Sequence, residues 1–119
     1  MITPEINFEP RLIIHVSGAN FAGQPKKDRY YLVISNYSTI PANDTFMCLP
    51  ITSWEGEDPF MIKIYDSDME RGNFSRPSQV VCDQLHTFMK NRVDSEKGKV
   101  TQIFYTKVKN LLKERILDI

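Results

Sequence analysis

The sequence predicts a small, mainly β protein with a single α-helix at its C-terminus. Short runs of apolar and β-branched residues alternate with segments rich in Gly, Pro, Asn and Asp, a pattern typical of strands joined by turns. Five such runs occupy residues 12–16, 30–36, 45–49, 60–65 and 78–83. A chain of 119 residues has the size of one domain that can bury its own core. We therefore expect a single domain over residues 1–119, in which a small barrel or strongly curved sheet carries the helix.

The second predicted strand is the most informative part of the chain. Residues 30–34 read Tyr-Tyr-Leu-Val-Ile, so neither face of this strand is expected to be solvated, and we predict a central position in the sheet. Arg29 stands at its entrance, after a loop over residues 17–28 that we interpret as a mobile flap or an ordinary solvated connection. Arg29 is then either part of a surface ion pair with Asp28 or a guanidinium that the sheet holds towards a ligand.

An apolar stripe near the C-terminus predicts the helix. Thr101 can cap this helix through its hydroxyl group. The stripe consists of five residues at helical spacing: Phe104, Val108, Leu111, Leu112 and Ile116. Such a stripe must be buried, and the sheet is the available surface.

The remaining segments are predicted to be irregular. Residues 1–10 contain two prolines and few apolar candidates for the core, so we expect a loose N-terminal arm. Residues 66–77 are polar and contain Gly72 and Pro77, which predicts a loop. Residues 84–89 continue from the fifth strand, and a polar stretch then leads to Gly98.

Composition restricts the function classes. The chain has 15 Lys and Arg residues and 15 Asp and Glu residues, so it has no overall field of either sign. A protein that binds nucleic acid through its overall charge is usually basic. Any nucleic-acid binding must therefore depend on a local cationic patch. No apolar run reaches the roughly 20 residues of a membrane-spanning helix, so no membrane association is expected.

The cysteines and the first histidine indicate no special chemistry. Cys48 and Cys82 lie in apolar runs, and we interpret them as free buried thiols in a reducing cytoplasm. His15 lies in the first predicted strand, without another His, Cys or carboxylate at a spacing typical of metal sites. We interpret it as a hydrogen-bonded strand residue and expect neither a metal nor a cofactor.

Three stretches taken together resemble the PemK/MazF family of toxin endoribonucleases. Residues 29–36, Arg-Tyr-Tyr-Leu-Val-Ile-Ser-Asn, are similar to the family's Arg-Pro-x-Leu-Val-Ile-Ser/Gln-Asn strand. Residues 47–53, Met-Cys-Leu-Pro-Ile-Thr-Ser with Pro-Phe just beyond, are similar to its apolar-Pro-x-Thr-Ser turn and following Pro-Phe. Residues 80–87, Val-Val-Cys-Asp-Gln-Leu-His-Thr, resemble the Cys-Asp-Gln-x-Arg-Thr of the plasmid-maintenance branch. With the step into the last helix at residues 97–100, order and spacing match over about residues 12–117.

The resemblance implies a fold, an activity and partners. It implies an SH3-like barrel that forms a homodimer. It also implies sequence-specific cleavage of single-stranded RNA by the neighbouring 2′-OH, without a metal or cofactor. A small antitoxin protein would bind this toxin and block its RNA groove.

Three residues match catalytic positions of the family. Arg29 would stabilise phosphate charge, because its fork of donors suits two oxygens at once. Thr52 would orient the attacking 2′-OH, although a turn threonine commonly bonds its own backbone instead. Asp83 would be a weak general base, or else a strand-end acid that anchors Arg29 or the dimer.

Five further residues are candidates for RNA contact. Lys26 and Lys27 would give the flap phosphate contacts, or they are simply solvated. Ser53 follows Thr52 in the same turn. Gln84 would read a base edge or satisfy the backbone, and His86 could act as acid or base near neutral pH.

The sequence also departs from the family pattern, which leaves two alternative functions open. Tyr30 replaces a Pro, Val81 replaces a second catalytic Arg, and His86 replaces the Arg of the Arg-Thr pair. The first alternative is a barrel that has lost cleavage and binds RNA or a peptide. The second is a purely structural module that binds a partner protein.

Overall fold

The computed structural model describes residues 6–19, 27–35 and 44–117 and confirms a mainly β architecture with one C-terminal α-helix. Within these ranges the strands are β1 (Leu12–Ala19), β2 (Lys27–Val33), β3 (Thr45–Thr52), β4 (Met61–Ile64), β5 (Met69–Arg71), β6 (Ser78–Val81), β7 (His86–Met89) and β8 (Ser95–Val100). The helix α1 (Gln102–Leu111) continues into a π-helical turn at Leu112–Ile116. Two short 3₁₀ turns occupy Asp66–Asp68 and Lys90–Arg92.

The described strands form one antiparallel sheet that curls into a half-barrel. Their order is β4-β6-β3-β2-β1-β8-β5, and β7 pairs with β3 beside β6. The prediction of a central second strand is confirmed, because β2 lies in the middle of this order, with Leu32 opposite both Ile13 and Leu49.

The two faces of the central strands bury different apolar clusters, as strict alternation along a strand requires. The first face carries Ile13, Leu32, Leu49, Ile51 and Val80 against α1. The second face carries Leu12, Ile14, Tyr31, Val33, Phe46 and Cys48. The continuous apolar run of β2 is explained by burial on both sides.

The helix packs on the first face, as its stripe predicts. The Thr101 hydroxyl accepts a hydrogen bond from the Phe104 N–H at 3.2 Å and caps the first turn. Phe104, Tyr105 and Val108 are buried in the first cluster. Burial of side chains of this size contributes about 1.5–3 kcal/mol each, which exceeds the intrinsic stability of so short a helix.

The third strand is longer than the sequence predicts, because it continues through Pro50 to Thr52. A proline is tolerated in a strand where its missing N–H removes no ladder hydrogen bond. On the side away from β2, the partner of β3 changes from β7, opposite Cys48, to β6, opposite Ile51. Pro50 lies at this change of partner, where a missing N–H costs least.

Three strands were missed in the sequence. The segment predicted as a loop at residues 66–77 contains β5, and the stretch over residues 84–98 contains β7 and most of β8. β8 is polar, and β5 joins it partly through a bidentate pair between Arg71 and Glu96, with N···O distances of 2.9 and 3.1 Å. Strands held by cross-strand ion pairs give no apolar alternation, so pattern alone does not find them.

The prediction of a loose arm over residues 1–10 is wrong for residues 6–10 and untested for residues 1–5. Residues 1–5, like residues 20–26 of the expected flap, lie outside the described residues. Residues 6–10 are not loose, because Ile6 and Phe8 pack on the second cluster and the Phe8 and Phe46 ring centroids are 5.1 Å apart. One aliphatic and one aromatic side chain thus attach residues 6–10 to the sheet.

Both cysteines are free and buried, as predicted. Burial raises the pKa of Cys82 to about 12 and moves the pKa of Cys48 in the same direction. Neither thiol is therefore nucleophilic at neutral pH. Across the described residues, no helix has the length and apolar character that a membrane crossing needs.

Candidate active site

The register of β2 against β3 brings two of the predicted catalytic residues together. Tyr30 pairs with Ile51, so the next position of the antiparallel ladder sets Arg29 beside Thr52. Both residues line a cavity of about 310 Å³ at this end of the sheet, together with Ser53. We call this cavity the Arg29 pocket.

The Arg29 pocket is cationic. Arg29, Arg76 and Lys97 line it, and the lining residues that the structure describes include no Asp or Glu. Arg29 is only 6% exposed, so surrounding protein limits how far its guanidinium can move. Three positive charges around one cavity concentrate the field and favour an anion such as phosphate. This is the local cationic patch that a chain of zero net charge needs for nucleic-acid binding.

Lys97 reaches the pocket because of a β-bulge. Gly98 pairs with Ile13 and Glu96 pairs with Ile14, which leaves Lys97 as the extra residue of β8. A bulge changes the direction of its side chain relative to a regular strand. The Lys97 ammonium lies over the Tyr30 ring at 5.2 Å.

Hydroxyl groups complete the lining. Thr52 Oγ1 accepts a hydrogen bond from the Trp54 N–H at 3.1 Å, so the proton of the Thr52 hydroxyl is available to donate elsewhere. Ser75 and Ser78 also line the pocket. A phosphate in this cavity would meet both charged and neutral donors.

Tyr30 and its neighbours form one wall. The Tyr30 and Phe74 rings meet edge to face at a centroid distance of 5.6 Å. His15 packs against Tyr30 at 5.3 Å, and its Nδ1 lies 3.5 Å from Asp94 Oδ2. Hydrogen bonds from Ser17 lower the pKa of Asp94. His15 thus has the structural surroundings expected of a strand histidine.

Asp83, Gln84 and His86 lie outside the Arg29 pocket. Thr52 pairs with Gln79 of β6, and Asp83 is four residues further on, exposed in the turn between β6 and β7. His86 pairs with Cys48, four residues before Thr52 in β3. None of Asp83, Gln84 and His86 lines the Arg29 pocket.

His86 belongs to an aromatic cluster on the second face. Its ring stacks on Phe88 at 5.9 Å and meets Tyr31 edge to face at 5.6 Å. Burial among these rings lowers the pKa of His86 and raises the pKa of Tyr31 to about 12. This environment favours a neutral imidazole.

The predicted lysines of the flap remain predictions. Lys26 lies outside the described residues, and Lys27 begins β2 without a described side chain. Among the described residues, no group of three or more His, Cys, Asp or Glu side chains could hold a metal ion.

Sequence reasoning missed seven lining residues of the Arg29 pocket: Tyr30, Ile51, Phe74, Ser75, Arg76, Ser78 and Lys97. Arg76 and Phe74 come from a segment that was expected to be only a loop. No local pattern connects these residues with Arg29, and the position of Lys97 depends on a bulge. Only the pairing of β8 with β1 could have pointed to Lys97.

Comparison with known proteins identifies the family and the fold of this chain. The family model described as a PemK-like, MazF-like toxin of type II toxin-antitoxin systems matches residues 12–116. Among curated proteins, no sequence matches this chain.

Several solved structures share the fold. One is an endoribonuclease in complex with its cognate antitoxin from a mycobacterial species, with 15% identity and a TM-score of 0.72 over 90% of this chain and 92% of that chain. The Mycobacterium tuberculosis toxin MazF-mt6 has 16% identity and a TM-score of 0.68 over 89% and 96% of the two chains. A MazE-MazF complex from Deinococcus radiodurans has 14% identity and a TM-score of 0.70 over 92% and 95%.

At these identities the solved structures establish a common fold. The family model goes further, because it spans most of the sequence. The chain therefore belongs to the PemK-like, MazF-like toxins of type II toxin-antitoxin systems.

Proposed function

We propose that this protein is a toxin endoribonuclease that cuts single-stranded RNA at the Arg29 pocket, without a metal ion. The observation that carries the proposal is the joint placement of Arg29 and Thr52 in one cavity, which Arg76 and Lys97 also line. Its family membership and the endoribonuclease among its structural neighbours support the same activity.

The reaction is an attack of a 2′-OH on the adjacent phosphodiester. A bond forms between the 2′-oxygen and phosphorus, and the bond from phosphorus to the 5′-oxygen breaks. The products are a 2′,3′-cyclic phosphate and a 5′-hydroxyl end. The 2′-OH loses a proton, the 5′-oxygen gains one, and no redox partner or metal is required for this balance.

Arg29 stabilises the charge that develops on the phosphate oxygens. Its planar fork can donate to two oxygens at once, and its buried position keeps the donors in place before the reaction begins. Arg76 and Lys97 add charge to the same cavity. Because an arginine side chain stays protonated in proteins, we assign Arg29 to charge stabilisation and not to proton transfer.

Thr52 positions the phosphate for in-line attack. The Trp54 N–H holds the Thr52 oxygen at 3.1 Å, which orients the remaining O–H donor. Fixing the reacting groups in one geometry is a large part of what such a site contributes.

The general base comes from outside the described lining of the pocket. The described part of that lining includes no carboxylate and no imidazole. Asp83 remains the candidate for this role. Since it does not line the pocket of its own chain, we assign the role to Asp83 of a second subunit in a homodimer.

An antitoxin is the expected regulator. A pocket with three cations suits an acidic segment of a partner protein as well as it suits RNA. Occupation of the Arg29 pocket by such a segment would exclude the substrate.

The direct test is controlled expression in bacteria. The parent protein is expected to slow growth and degrade cellular RNA, and Arg29→Ala is expected to do neither. Arg92→Ala is the matched control, because Arg92 is exposed and lies outside the pocket. A parent protein that leaves both RNA and growth unchanged would exclude the enzyme.

The described lining of the Arg29 pocket holds no candidate general base, which favours one alternative, a barrel that binds RNA without cutting it. Its signature would be salt-dependent binding of RNA together with intact RNA after long incubation. Fluorescence anisotropy and gel analysis of the same samples separate the two functions.

A further inference from the structure

A second cavity adjoins the Arg29 pocket and is not used by the mechanism above. It has a volume of about 470 Å³, within the range of about 300–1,000 Å³ of small-molecule sites. Phe74, Ser75, Arg76 and Ser78 line both cavities. An extended ligand that lies across these shared residues would therefore occupy both cavities. We call the second cavity the Trp54 pocket.

The charges of the two cavities differ. The Trp54 pocket is lined by Glu55 and Asp66 as well as by Lys63 and Arg76. Two acids and two bases give no net attraction for a phosphate. An uncharged part of a ligand suits this cavity, whereas its charged part suits the Arg29 pocket.

Aromatic side chains mark the Trp54 pocket as a stacking surface. Trp54 is 52% exposed and Tyr65 is 62% exposed, and both line the cavity with Phe74. Flat aromatic faces beside a cationic pocket are the arrangement by which proteins hold single-stranded nucleic acid.

Hydrogen bonds fix the backbone that carries the indole, and the indole itself packs on Gly56. The buried Gln79 donates from Nε2 to the carbonyl oxygens of Trp54 at 2.7 Å and of Gly56 at 3.0 Å. The indole packs on Gly56, where an added Cβ would lie only 1.9 Å from Trp54 Cζ2. A preorganised ring loses little entropy when a base stacks on it.

Trp54 is also connected to the proposed catalytic threonine. Its N–H is the donor that holds Thr52 Oγ1 at 3.1 Å. The backbone of Trp54 is therefore bonded directly to the hydroxyl that positions the phosphate.

We propose that the Trp54 pocket binds one unstacked nucleobase of the RNA strand whose phosphate occupies the Arg29 pocket. This inference rests on the proposed function, since it assumes a single-stranded nucleic acid in the Arg29 pocket. Trp54 and Tyr65 are the stacking residues, and Arg76 lies between base and phosphate.

The chain carries its own probe for this site, because Trp54 is its only tryptophan. Two short fluorescently labelled oligonucleotides of equal length are titrated into the protein. One is a single-stranded 2′-O-methyl RNA, which binds but lacks the nucleophile, and the other is an abasic strand. Binding is followed by anisotropy of the label, and stacking by the emission of Trp54 with unlabelled strands.

We expect the 2′-O-methyl RNA to quench Trp54 and the abasic strand to leave its emission unchanged. Trp54→Ala should weaken binding of the 2′-O-methyl RNA by about tenfold, which corresponds to the lower part of the range for one stacked base. Trp54→Phe should retain most of the affinity. Ile103→Ala, an exposed apolar residue outside both cavities, should bind like the parent.

Two results would overturn the inference. They differ in whether the proposed nuclease activity is also excluded. Tight binding with unchanged Trp54 emission and an unaltered affinity of Trp54→Ala would exclude the base site and leave the proposed nuclease intact. Absence of binding by the parent protein to either strand would overturn both proposals.

Discussion

The two halves of β3, residues 45–48 (the Cys48 end) and residues 49–52 (the Thr52 end), differ in chemistry, although the sequence predicts that residues beside both contribute to one site. At the Thr52 end, the sheet builds a cationic cavity with Arg29. At the Cys48 end, β7 adds His86 to a cluster of aromatic rings. Four residues of extended chain, about 13 Å at 3.3 Å each, separate these two positions on β3.

This difference shows what strand register does to a set of motif residues. Arg29 and Thr52 meet because two paired strands place them side by side. Asp83 and His86 belong to the third stretch that resembles the family, but the turn between β6 and β7 places both outside the Arg29 pocket. Within the described residues, a single chain thus holds the proposed phosphate-binding residues in one cavity and Asp83 outside it.

The Cys48 end has the character of a contact surface. Three large apolar side chains are exposed there or in the adjacent turn: Met47, Leu85 and Met89. We propose that the second subunit packs near this end, which would place Asp83 of each subunit close to the boundary between them. The predictions below test this division of roles, beginning with the largest expected effect.

Arg29→Ala should reduce the rate of RNA cleavage by about 10³-fold, in line with the loss of one preorganised donor to a developing charge. Single-turnover cleavage of a labelled RNA measures this rate. Arg29→Lys keeps the charge and loses the fork, so it should fall between the parent and the alanine variant. Equal rates for parent and Arg29→Ala would remove the Arg29 pocket from the mechanism.

Asp83→Asn should reduce the rate by about 10²-fold, the lower end of the effect of a general base. The sharper experiment mixes Arg29→Ala and Asp83→Asn subunits after unfolding and refolding. If Asp83 serves the pocket of the other subunit, each mixed dimer contains one complete site and activity returns. Absence of recovery would place both residues in one chain or make Asp83 irrelevant, and the rate of Asp83→Asn alone decides between these outcomes.

Thr52→Val should reduce the rate by about 10- to 100-fold, because it removes a hydroxyl that donates to a charged group. Thr52→Ser retains the hydroxyl and should keep most of the activity. Binding of the uncleavable RNA is measured in parallel, since the mechanism assigns the loss mainly to the chemical step. A loss of the same size in Thr52→Ser would indicate a packing defect instead.

His86→Gln should have the smallest effect, and on stability alone. Burial lowers the pKa of His86, so between that pKa and the ordinary value of about 6.5 the unfolded chain binds more protons than the folded protein. The free energy of unfolding should therefore fall as the pH is lowered through this window. His86→Gln should flatten this dependence as the pH falls below about 6.5, as urea unfolding would show, whereas an unchanged slope would contradict the assignment.

The sequence was sufficient for the parts of the fold that depend on local pattern. The apolar run of β2 predicted burial on both faces. The stripe from Phe104 to Ile116 predicted the docked helix, although only Phe104 and Val108 of this stripe are fully buried in the first cluster. β5 and β8 were not predictable in this way, because Arg71 and Glu96 join them across the sheet and leave no local signature.

The family resemblance, and not the spacing along the chain, pointed to Arg29 and Thr52 as one site. Arg29 and Thr52 belong to adjacent strands, so their meeting follows once the strands pair. Lys97 depends on a bulge, and the separation of Asp83 from the pocket depends on where β6 turns. Both are decided by tertiary pairing, which no single stretch of the chain encodes.

The chemistry of the RNA ends tests the central claim most directly. Purified parent protein is incubated with single-stranded RNA in the presence of a metal chelator, and the ends of the products are determined. The account predicts 2′,3′-cyclic phosphate and 5′-hydroxyl ends from the parent and intact RNA from an identically purified Arg29→Ala protein. Products with 3′-hydroxyl and 5′-phosphate ends, or equal cleavage by both proteins, would contradict it.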